Sequence, residues 1–456
     1  MEECVIQYNH PLRTTNCMDS KYINDMTNQN EMLCGFANSM FQSSKLGECG
    51  DSNWSKTIND NKITGSDVSY SHWEHYESDI NTMKYVHGMN SYRFSIEWSH
   101  VEPEEGKFNS AVLHKYKNII DHCLQIDIQP MITLHHFNEP LWFYELGGFS
   151  HESNIKYFVR FCKHVYSMFH NKVSLWCTIN EPAIYAFMGY LYGKFPPQHI
   201  NLQETIVVLK HLLMAHVSVY NELKKINHNN QIGIVHNVLI FKPLYTYDFI
   251  TNSLLSELNI ITNELVITFF TTGSYIYDKR ILFHSAHEHY HDSQAILSND
   301  FFGLNFYANP VIGPNLQNLY GPTHQNNQIM GDMYLPIDPE GFSDAIDIVS
   351  NLKIPIYITE TGIADESDTL RPLLIEQYMN VIKEKKDSGI NICGCYFWTF
   401  RDNYEWGEHN KLFGFYDKNN KQKESCNALT NIASKCNSAI DQSIDQSIDS
   451  STNNDL

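Results

Sequence analysis

The chain has 456 residues, of which 42% are hydrophobic and 13% aromatic, and its formal net charge is -20. This length allows either one large α/β barrel or about two to three ordinary domains. The acidic excess argues against nucleic acid as a partner, because proteins that bind a phosphate backbone neutralise it with clustered Lys and Arg.

The sequence predicts a cytoplasmic protein with no membrane partner. The N-terminal segment has no apolar h-region, and no stretch approaches the roughly 18 to 20 uninterrupted apolar residues of a membrane span. The 11 cysteines are scattered, several within apolar runs, as expected for reduced and buried thiols. Cys393 and Cys395 form a C-x-C motif without a second pair at zinc-site spacing, so no metal site is predicted there.

Both ends of the chain are predicted to be disordered around one domain at residues 31–430. Residues 1–30 are polar and rich in Asn and Thr, and residues 437–456 contain the period-four run SAIDQSIDQSIDSS. This run could also form a frayed partner-docking helix with one stripe of Ile440, Ile444 and Ile448, although a solvated tail is the favoured interpretation.

Eight short β-branched or aromatic runs recur between these ends, each followed by a segment with helical periodicity. They are MLCGFANSMF (32–41), NSYRFSIEW (90–98), QPMITLHHF (129–137), VSLWCTINE (173–181), QIGIVHNV (231–238), FFGLNFY (301–307), IPIYITET (354–361) and ICGCYFWTF (392–400). Repeated β-α units form a parallel sheet, and eight of them close into a (β/α)8 TIM barrel.

Polar and aromatic residues stand where these apolar runs end. They are Arg93 and Glu97, His135 and His136, Asn180 and Glu181, Asn305 and Tyr307, Glu360, and Trp398. We expect all of them to project into the mouth at the C-terminal face of the barrel, where TIM-barrel enzymes keep their chemistry.

Two of the strand-end residues are glutamates, in the motifs TINEP (178–182) and ITETG (358–362). A single Glu after a strand is most often a surface charge or lies beside a helix N-cap. Glycoside hydrolysis, however, requires one protonated carboxyl at the leaving oxygen and a second carboxylate across the anomeric carbon. Two such motifs on strands four and seven of one barrel favour this chemistry.

The sequence resembles family 1 of the glycoside hydrolases, the β-glucosidase family, from about residue 32 to 420. The resemblance rests on six motifs in family order and spacing: YRFSIEWS (92–99), TLHHFNEPLWF (133–143), TINEP, GLNFY (303–307), ITETGIAD (358–365) and FWTFRDNYEW (397–406).

The resemblance implies a retaining mechanism, with Glu181 as the acid/base and Glu360 as the nucleophile, about 5 to 5.5 Å apart. The ionised Glu360 would then raise the pKa of Glu181 by like-charge repulsion. Arg93 and Tyr307 correspond to the residues that contact the nucleophile and keep it ionised.

The resemblance also assigns sugar-binding positions. Gln42, His136, Asn180 and Glu405 correspond to residues that bind the non-reducing sugar, with Asn180 at the 2-OH. Asn305 would lie nearer the acid/base and the aglycone. The aromatic positions are Trp398 below the sugar ring, Trp406 near the 3-OH and 4-OH, and Phe413 as a wall of the glycone pocket; core packing at the barrel top is the alternative for both tryptophans.

Glu405 favours neutral glycosides, because the 6-phospho-β-glycosidases of the family have a Ser with nearby Lys and Tyr that hold the phosphate in its place, whereas an anionic Glu would repel a phosphate. The sequence also departs from the family pattern. Phe137 replaces a common Trp, Thr361 replaces the Asn after the nucleophile, WGEHNKLFG (406–414) is one residue short, and DMYLPIDPEG (332–341) lacks a Trp on the aglycone side.

The predicted activity is exo-acting hydrolysis of neutral β-glycosides, most of all β-glucosides, with no cofactor and no metal. A catalytically retired sugar- or protein-binding barrel, a scaffold barrel and a 6-phospho-β-glycosidase are the alternatives. The segment FHSAHEHYHD, with His284, His287, His289 and His291, suggests metal capture by its imidazole density, but a polar surface stretch is favoured because its spacing matches no closed zinc site. The aglycone, the gluco or galacto preference and the oligomeric state do not follow from the sequence.

Overall fold

A closed barrel of eight parallel strands forms the centre of the computed structural model, which describes residues 32–281, 284–314 and 329–429. Going round the barrel, the strands are β1 (Leu33–Asn38), β2 (Ser91–Ser95), β3 (Gln129–Thr133), β4 (Leu175–Asn180), β5 (Gln231–Asn237), β9 (Phe301–Asn305), β11 (Ile356–Thr361) and β12 (Ile392–Trp398), which pairs again with β1. The short strands β6 (Lys242–Pro243) and β10 (Val311–Ile312) pair with each other outside the barrel. All eight predicted runs supply these strands, which confirms the predicted TIM barrel. The segments predicted to be disordered, 1–30 and 437–456, lie outside the described residues.

Helices follow the barrel strands and form the outer layer. They are α1 (Asn53–Asn59), α2 (His72–Tyr85), α3 (Trp98–Val101), α4 (Ser110–Gln125), α5 (Leu141–Glu145), α6 (Ile155–Phe169), α7 (Pro182–Ala186), α8 (Leu202–Ile226), α9 (Phe249–Asn259), α10 (Leu265–Thr272), α11 (Pro339–Ser350) and α12 (Arg371–Asp387). Two π-helical segments, Phe187–Leu191 and Ile260–Glu264, extend α7 and join α9 to α10.

Alternation along the strands separates two cores. One apolar cluster, which includes Met131, Cys177, Val235 and Trp398, fills the barrel interior, while a much larger cluster lies between the strands and the helices. Successive residues of a strand point to opposite faces, so each strand contributes to both clusters. In this register Arg93 stands between Ala37 of β1 and Met131 of β3 and belongs to the interior set.

Helix α4 shows how the local sequence builds the outer layer. Asn109 caps the helix by accepting bonds from the backbone N–H groups of Ala111 and Val112. Its buried residues recur at helical spacing and form one stripe: Val112, Leu113, Tyr116, Ile119, Ile120 and Cys123.

The His-rich segment forms one strand of a β-hairpin, made by β7 (Ser274–Ile281) and β8 (His284–His291). His287, His289 and His291 are exposed, and His287 Nδ1 lies 2.5 Å from Asp278 Oδ1. The side chain of His284 is outside the described part. Within the described residues no group of three or more His, Cys, Asp or Glu could hold a metal ion.

One helical run in the described part, Phe249–Thr272, is long and apolar enough by length and composition to cross a membrane. No membrane span was expected because no uninterrupted apolar stretch is long enough, whereas this run qualifies by its average hydropathy in spite of its polar residues. Half of the run is buried within the fold, and buried core helices of soluble proteins pass the same test, so the run is weak evidence for a span.

A buried carboxyl that the sequence analysis did not single out lies in the loop after β3. Glu139 is 1% exposed, and its only described side-chain bond comes from the Tyr185 hydroxyl, which donates to Oε1 at 3.2 Å. Burial raises the pKa of Glu139 from 4.5 to about 8. The folded state therefore holds this proton at neutral pH, whereas the unfolded chain releases it.

We expect Glu139 to make folding stability depend on pH. Its folded-state pKa lies above the unfolded value, so its contribution is fully present below about pH 4.5 and declines as the pH rises to about 8. Glu139→Gln should match the wild type at pH 4.5 and exceed its free energy of unfolding at pH 8 by on the order of 2 to 4 kcal/mol. Denaturant unfolding at both pH values measures this, with the exposed Glu145→Gln as control, and an equal effect at both pH values would contradict it.

Candidate active site

Arg93 and Glu360 form a buried ion pair across the barrel mouth. Nη1 of Arg93 donates to Glu360 Oε1 at 2.6 Å and to the Thr359 carbonyl at 3.1 Å. Nη2 donates to Asn180 Oδ1 at 2.7 Å, and Nε donates to Thr133 Oγ1 at 3.1 Å. Because the guanidinium is planar, these four bonds fix Glu360 relative to strands β3, β4 and β11.

The second oxygen of Glu360 is held by Tyr307, whose hydroxyl donates to Oε2 at 2.7 Å. Burial, together with the nearby Glu360 and Glu181 carboxyls, holds the pKa of Tyr307 well above its usual value, so the phenol keeps its proton and remains a donor. The ring of Phe413 meets the Tyr307 ring edge-on at 5.7 Å. Glu360 thus receives a hydrogen-bond donor on each of its two oxygens.

Glu181 stands in the opposite environment. It ends β4 in a left-handed conformation, with φ 50° and ψ 60°, which is uncommon for a residue other than glycine and recurs at functional sites. Asn305 Nδ2 donates to its Oε1 at 2.7 Å. Burial first, and repulsion from Glu360 second, raise the pKa of Glu181 from 4.5 to about 8, so the carboxyl is protonated at neutral pH.

The two buried asparagines of the site have fixed amide orientations. Asn180 Oδ1 accepts from Arg93 and, at 3.3 Å, from Asn305 Nδ2. Asn305 Oδ1 accepts from the Thr359 hydroxyl at 2.7 Å, which commits its Nδ2 to Asn180 and Glu181. Asn180 Nδ2 therefore points away from Arg93, and its one contact among the described residues is a long one of 3.5 Å to His136 Nε2.

A second polar group surrounds Glu405. Its Oε2 accepts from Gln42 Nε2 at 3.3 Å and from Trp398 Nε1 at 3.4 Å. Burial raises the pKa of Glu405 from 4.5 to about 8. The amide oxygen of Gln42 is buried and has no hydrogen-bond partner among the described residues, so it can accept a bond from a ligand.

Aromatic rings join this group to the side of the mouth that holds Arg93 and Asn180. The His136 ring stacks on Trp398 at 5.7 Å and on Trp406 at 6.2 Å. Burial and the Arg93 charge lower the pKa of His136 well below 6.5, so the imidazole is neutral. Trp406 also packs against Trp54 at 4.5 Å and Phe137 at 5.3 Å, so core packing accounts for part of its burial.

The structure thus brings all twelve predicted site residues into connected contacts around one barrel mouth. The prediction that His135 and Glu97 also project into the mouth was wrong. His135 packs edge-on against Phe149, Phe158 and Tyr185 in the outer core. It points away from the mouth because consecutive extended residues alternate sides, and His136 takes the inward side. Glu97 bonds neighbouring loops instead of the mouth residues.

Two contributors were missed by the sequence analysis. Asn237, at the end of β5, is a neighbour of Glu181 that acts to lower its pKa, against the larger effect of burial. Thr359 orients Asn305 and offers its carbonyl to Arg93. The strand-end pattern that revealed the other residues also applies to Asn237, but Thr359 precedes Glu360 within an apolar run and gave no signal.

Removal of Arg93 should strongly destabilise the fold. Arg93→Met leaves the Glu360 carboxylate buried without a counter-ion, which we expect to lower the free energy of unfolding by about 3 to 5 kcal/mol. Arg93→Met/Glu360→Gln should recover a large part of that loss, because the unpaired charge is gone. Denaturant unfolding of the wild type and the two variants measures the effect, and a double variant no more stable than Arg93→Met would contradict it.

Comparison with known proteins agrees with this geometry. The family model described as glycosyl hydrolase family 1 matches residues 44–435. The chain is 28% identical over 382 residues to beta-glucosidase A of Acetivibrio thermocellus, covering 77% of this chain and 83% of that one. It is 26% identical over 443 residues to 6-phospho-beta-galactosidase 1 of Streptococcus pneumoniae, covering 85% and 93%.

A solved structure gives the same result for the fold. The beta-glycosidase from Pyrococcus horikoshii is 30% identical and superposes with a TM-score of 0.76, covering 88% of this chain and 93% of that one. With a family match over most of its length and a barrel mouth lined by two carboxyls, the chain belongs to glycosyl hydrolase family 1 and is a β-glycosidase.

Proposed function

We propose that the protein is a retaining exo-β-glycosidase that hydrolyses neutral β-glucosides by double displacement. The observation that carries this proposal is the difference between the surroundings of two carboxyls in one barrel mouth. Glu360 receives donors from Arg93 and Tyr307, while the pKa of Glu181 is raised to about 8. One carboxyl is thereby prepared as an anion and the other as an acid.

In the first step, Glu360 attacks the anomeric carbon while Glu181 protonates the glycosidic oxygen. A bond forms between a Glu360 oxygen and that carbon, the bond to the leaving oxygen breaks, and the leaving group departs with the proton of Glu181. Because Asn305 donates to Oε1 of Glu181, Oε2 is the oxygen that can carry the proton. Asn305 is therefore proposed to aim the acid.

In the second step, water replaces Glu360 at the same carbon. Glu181, now ionised, takes a proton from the water, and the oxygen of that water bonds to the anomeric carbon as the bond to Glu360 breaks. Arg93 and Tyr307 then stabilise the returning carboxylate, since both donate to it in the free enzyme. The product keeps its anomeric configuration because the carbon is inverted twice.

The remaining polar groups are suited to hold the glycone. Asn180 offers N–H donors for the 2-OH, because Arg93 and Asn305 occupy its oxygen. Gln42, His136 and Glu405 supply amide, imidazole and carboxyl groups for the other hydroxyls. Trp398 and Phe413 provide buried aromatic faces beside them.

The surroundings of Glu405 favour a neutral sugar. Among the described residues its side chain contacts Gln42 and Trp398 and no cation. Lys411 and Lys418, on the following loop, are directed to the Asp332 carbonyl at 2.6 Å and to Asp67 at 2.5 Å. Because the raised pKa keeps Glu405 largely neutral at pH 7, this preference rests on the missing cation rather than on the charge repulsion assumed from the sequence.

A 6-phospho-β-glycosidase is the second candidate, because several curated relatives at 26% identity are named 6-phospho-beta-galactosidases. Lys411 would have to leave Asp332 to reach a phosphate. We also propose that the enzyme works in the cytosol on small glycosides, in keeping with described cysteines that are all free thiols.

Hydrolysis of three chromogenic substrates tests the proposed function. We expect purified protein to cleave p-nitrophenyl β-D-glucoside, with lower activity on the β-D-galactoside and on the β-D-glucoside 6-phosphate. Glu181→Gln and Glu360→Gln should each lower kcat/KM by at least about a hundredfold, because each removes a group that acts in the transition state. Activity on the phosphate ester alone would instead establish the second candidate.

The pH profile of kcat/KM should show an alkaline limb near pH 8, where Glu181 loses the proton that it must donate. This limb should vanish in the residual activity of Glu181→Gln, because an amide has no proton to lose in this range. Glu405→Gln is the matched control, since the pKa of Glu405 is also about 8. A limb that vanishes in Glu405→Gln and persists in Glu181→Gln would refute the assignment.

A further inference from the structure

We propose that Glu97 is a positioning residue that links the two loops carrying Gln42 and His136 and sets their separation at the sugar pocket. The inference rests on the proposed function to the extent that these two side chains bind the glycone. Glu97 does not itself contact the mouth residues among its described bonds.

Glu97 occupies a fixed place behind the mouth. It follows β2 as the residue before α3 and is 2% exposed. Its backbone N–H donates a hydrogen bond to the Tyr116 hydroxyl of α4 at 3.0 Å. The main chain of Glu97 is thus tied to the outer helical layer.

One oxygen of the Glu97 carboxyl bonds the loop after β1. Oε1 accepts from the Phe41 backbone N–H at 3.2 Å and from the Ser95 hydroxyl at 2.6 Å. The Ser95 oxygen in turn accepts from the Met40 N–H at 2.8 Å. The backbone N–H groups of Met40 and Phe41, just before Gln42, are therefore bonded to side chains at the end of β2.

The other oxygen bonds the loop after β3. Oε2 accepts from Asn138 Nδ2 at 3.0 Å, two residues beyond His136. Phe137 between them has a positive φ of 65°, and its carbonyl accepts from Asn53 and Trp54, each at 3.1 Å. Asn138 therefore helps to hold a turn that is unfavourable for a residue with a side chain.

The chemistry of this link requires an acceptor at both carboxyl oxygens. Phe41, Ser95 and Asn138 all donate, and no cation bonds Glu97 in the described part of the chain. The titratable groups that face it are Tyr116 and Cys49, both buried and uncharged, with pKa values held well above their usual ones by burial. A group that served only to fill space would not need this arrangement of donors.

Glu102 provides an internal comparison. It is as deeply buried as Glu97, and it accepts from Trp98 Nε1 at 2.8 Å and from the Gly106 N–H at 2.7 Å, with Arg160 as its ion partner. None of these partners lies in a loop that carries a predicted sugar contact. Loss of Glu102 should affect stability alone.

A double-mutant cycle on full-length enzyme tests the proposal. It uses Glu97→Gln, Asn138→Asp and the double variant Glu97→Gln/Asn138→Asp, called the swapped pair, with Glu102→Gln as control. KM for p-nitrophenyl β-D-glucoside, the inhibition constant of glucose, kcat and Tm are measured for each. Glu97→Gln and Asn138→Asp should each raise KM and the glucose inhibition constant about tenfold, with a smaller change in kcat. The swapped pair, which restores one donor facing one acceptor, should regain at least half of that loss on a logarithmic scale.

Ser95→Ala tests the same link if either single variant fails to fold. It removes only a hydroxyl between β2 and the Gln42 loop. It should raise the glucose inhibition constant severalfold, whereas Glu102→Gln should lower Tm and leave that constant unchanged. The proposal is overturned if the Glu97 and Ser95 variants behave like Glu102→Gln, or if the swapped pair shows only additive losses. Failure of the proposed function would be distinct: the wild type would not cleave the neutral glucoside, and the cycle would be read on the phosphorylated substrate.

Discussion

The ion pair between Arg93 and Glu360 is the interaction on which the barrel mouth depends. A carboxylate that is 3% exposed needs a counter-ion and donors, and Arg93 supplies the charge while bonding β3, β4 and β11 at once. The same guanidinium fixes the amide of Asn180, which fixes Asn305, which bonds Glu181. One cation inside an acidic protein thereby sets the orientation of both carboxyls.

Burial gives the two carboxyls different chemistry because their partners differ. Glu360 has a cation and a phenol, whereas Glu181 has amides and a neighbouring negative charge, so its pKa rises. Such a site is costly for folding, since each buried carboxyl that stays protonated in the native state would ionise in the unfolded chain at neutral pH. Glu405 and Glu139 add to this cost, one beside Gln42 and Trp398 and one behind the mouth.

The barrel was predictable from sequence because strand composition and period alone identify its eight strands, and the carboxyl ends of parallel strands meet at one face. The site residues were predictable where chemistry stands directly at those ends, as with Glu181 and Glu360. His135 was misplaced because it and His136 lie beyond the end of β3, where the sequence does not show which of the two points into the mouth. The role of Thr359 and the loop contacts of Glu97 could not be predicted. They are hydrogen bonds between residues that lie 54 and 41 positions apart along the chain, respectively.

In the proposed mechanism, Glu360 bonds covalently to the sugar during turnover. Incubation with a 2-deoxy-2-fluoro-β-D-glucoside carrying a good leaving group slows the second step and accumulates that intermediate, which intact-mass measurement and peptide mapping can locate. We expect one label per chain, on the peptide that contains Glu360, and none in Glu360→Gln. Labelling of another residue, or turnover of the parent glucoside with no label at all, would contradict it.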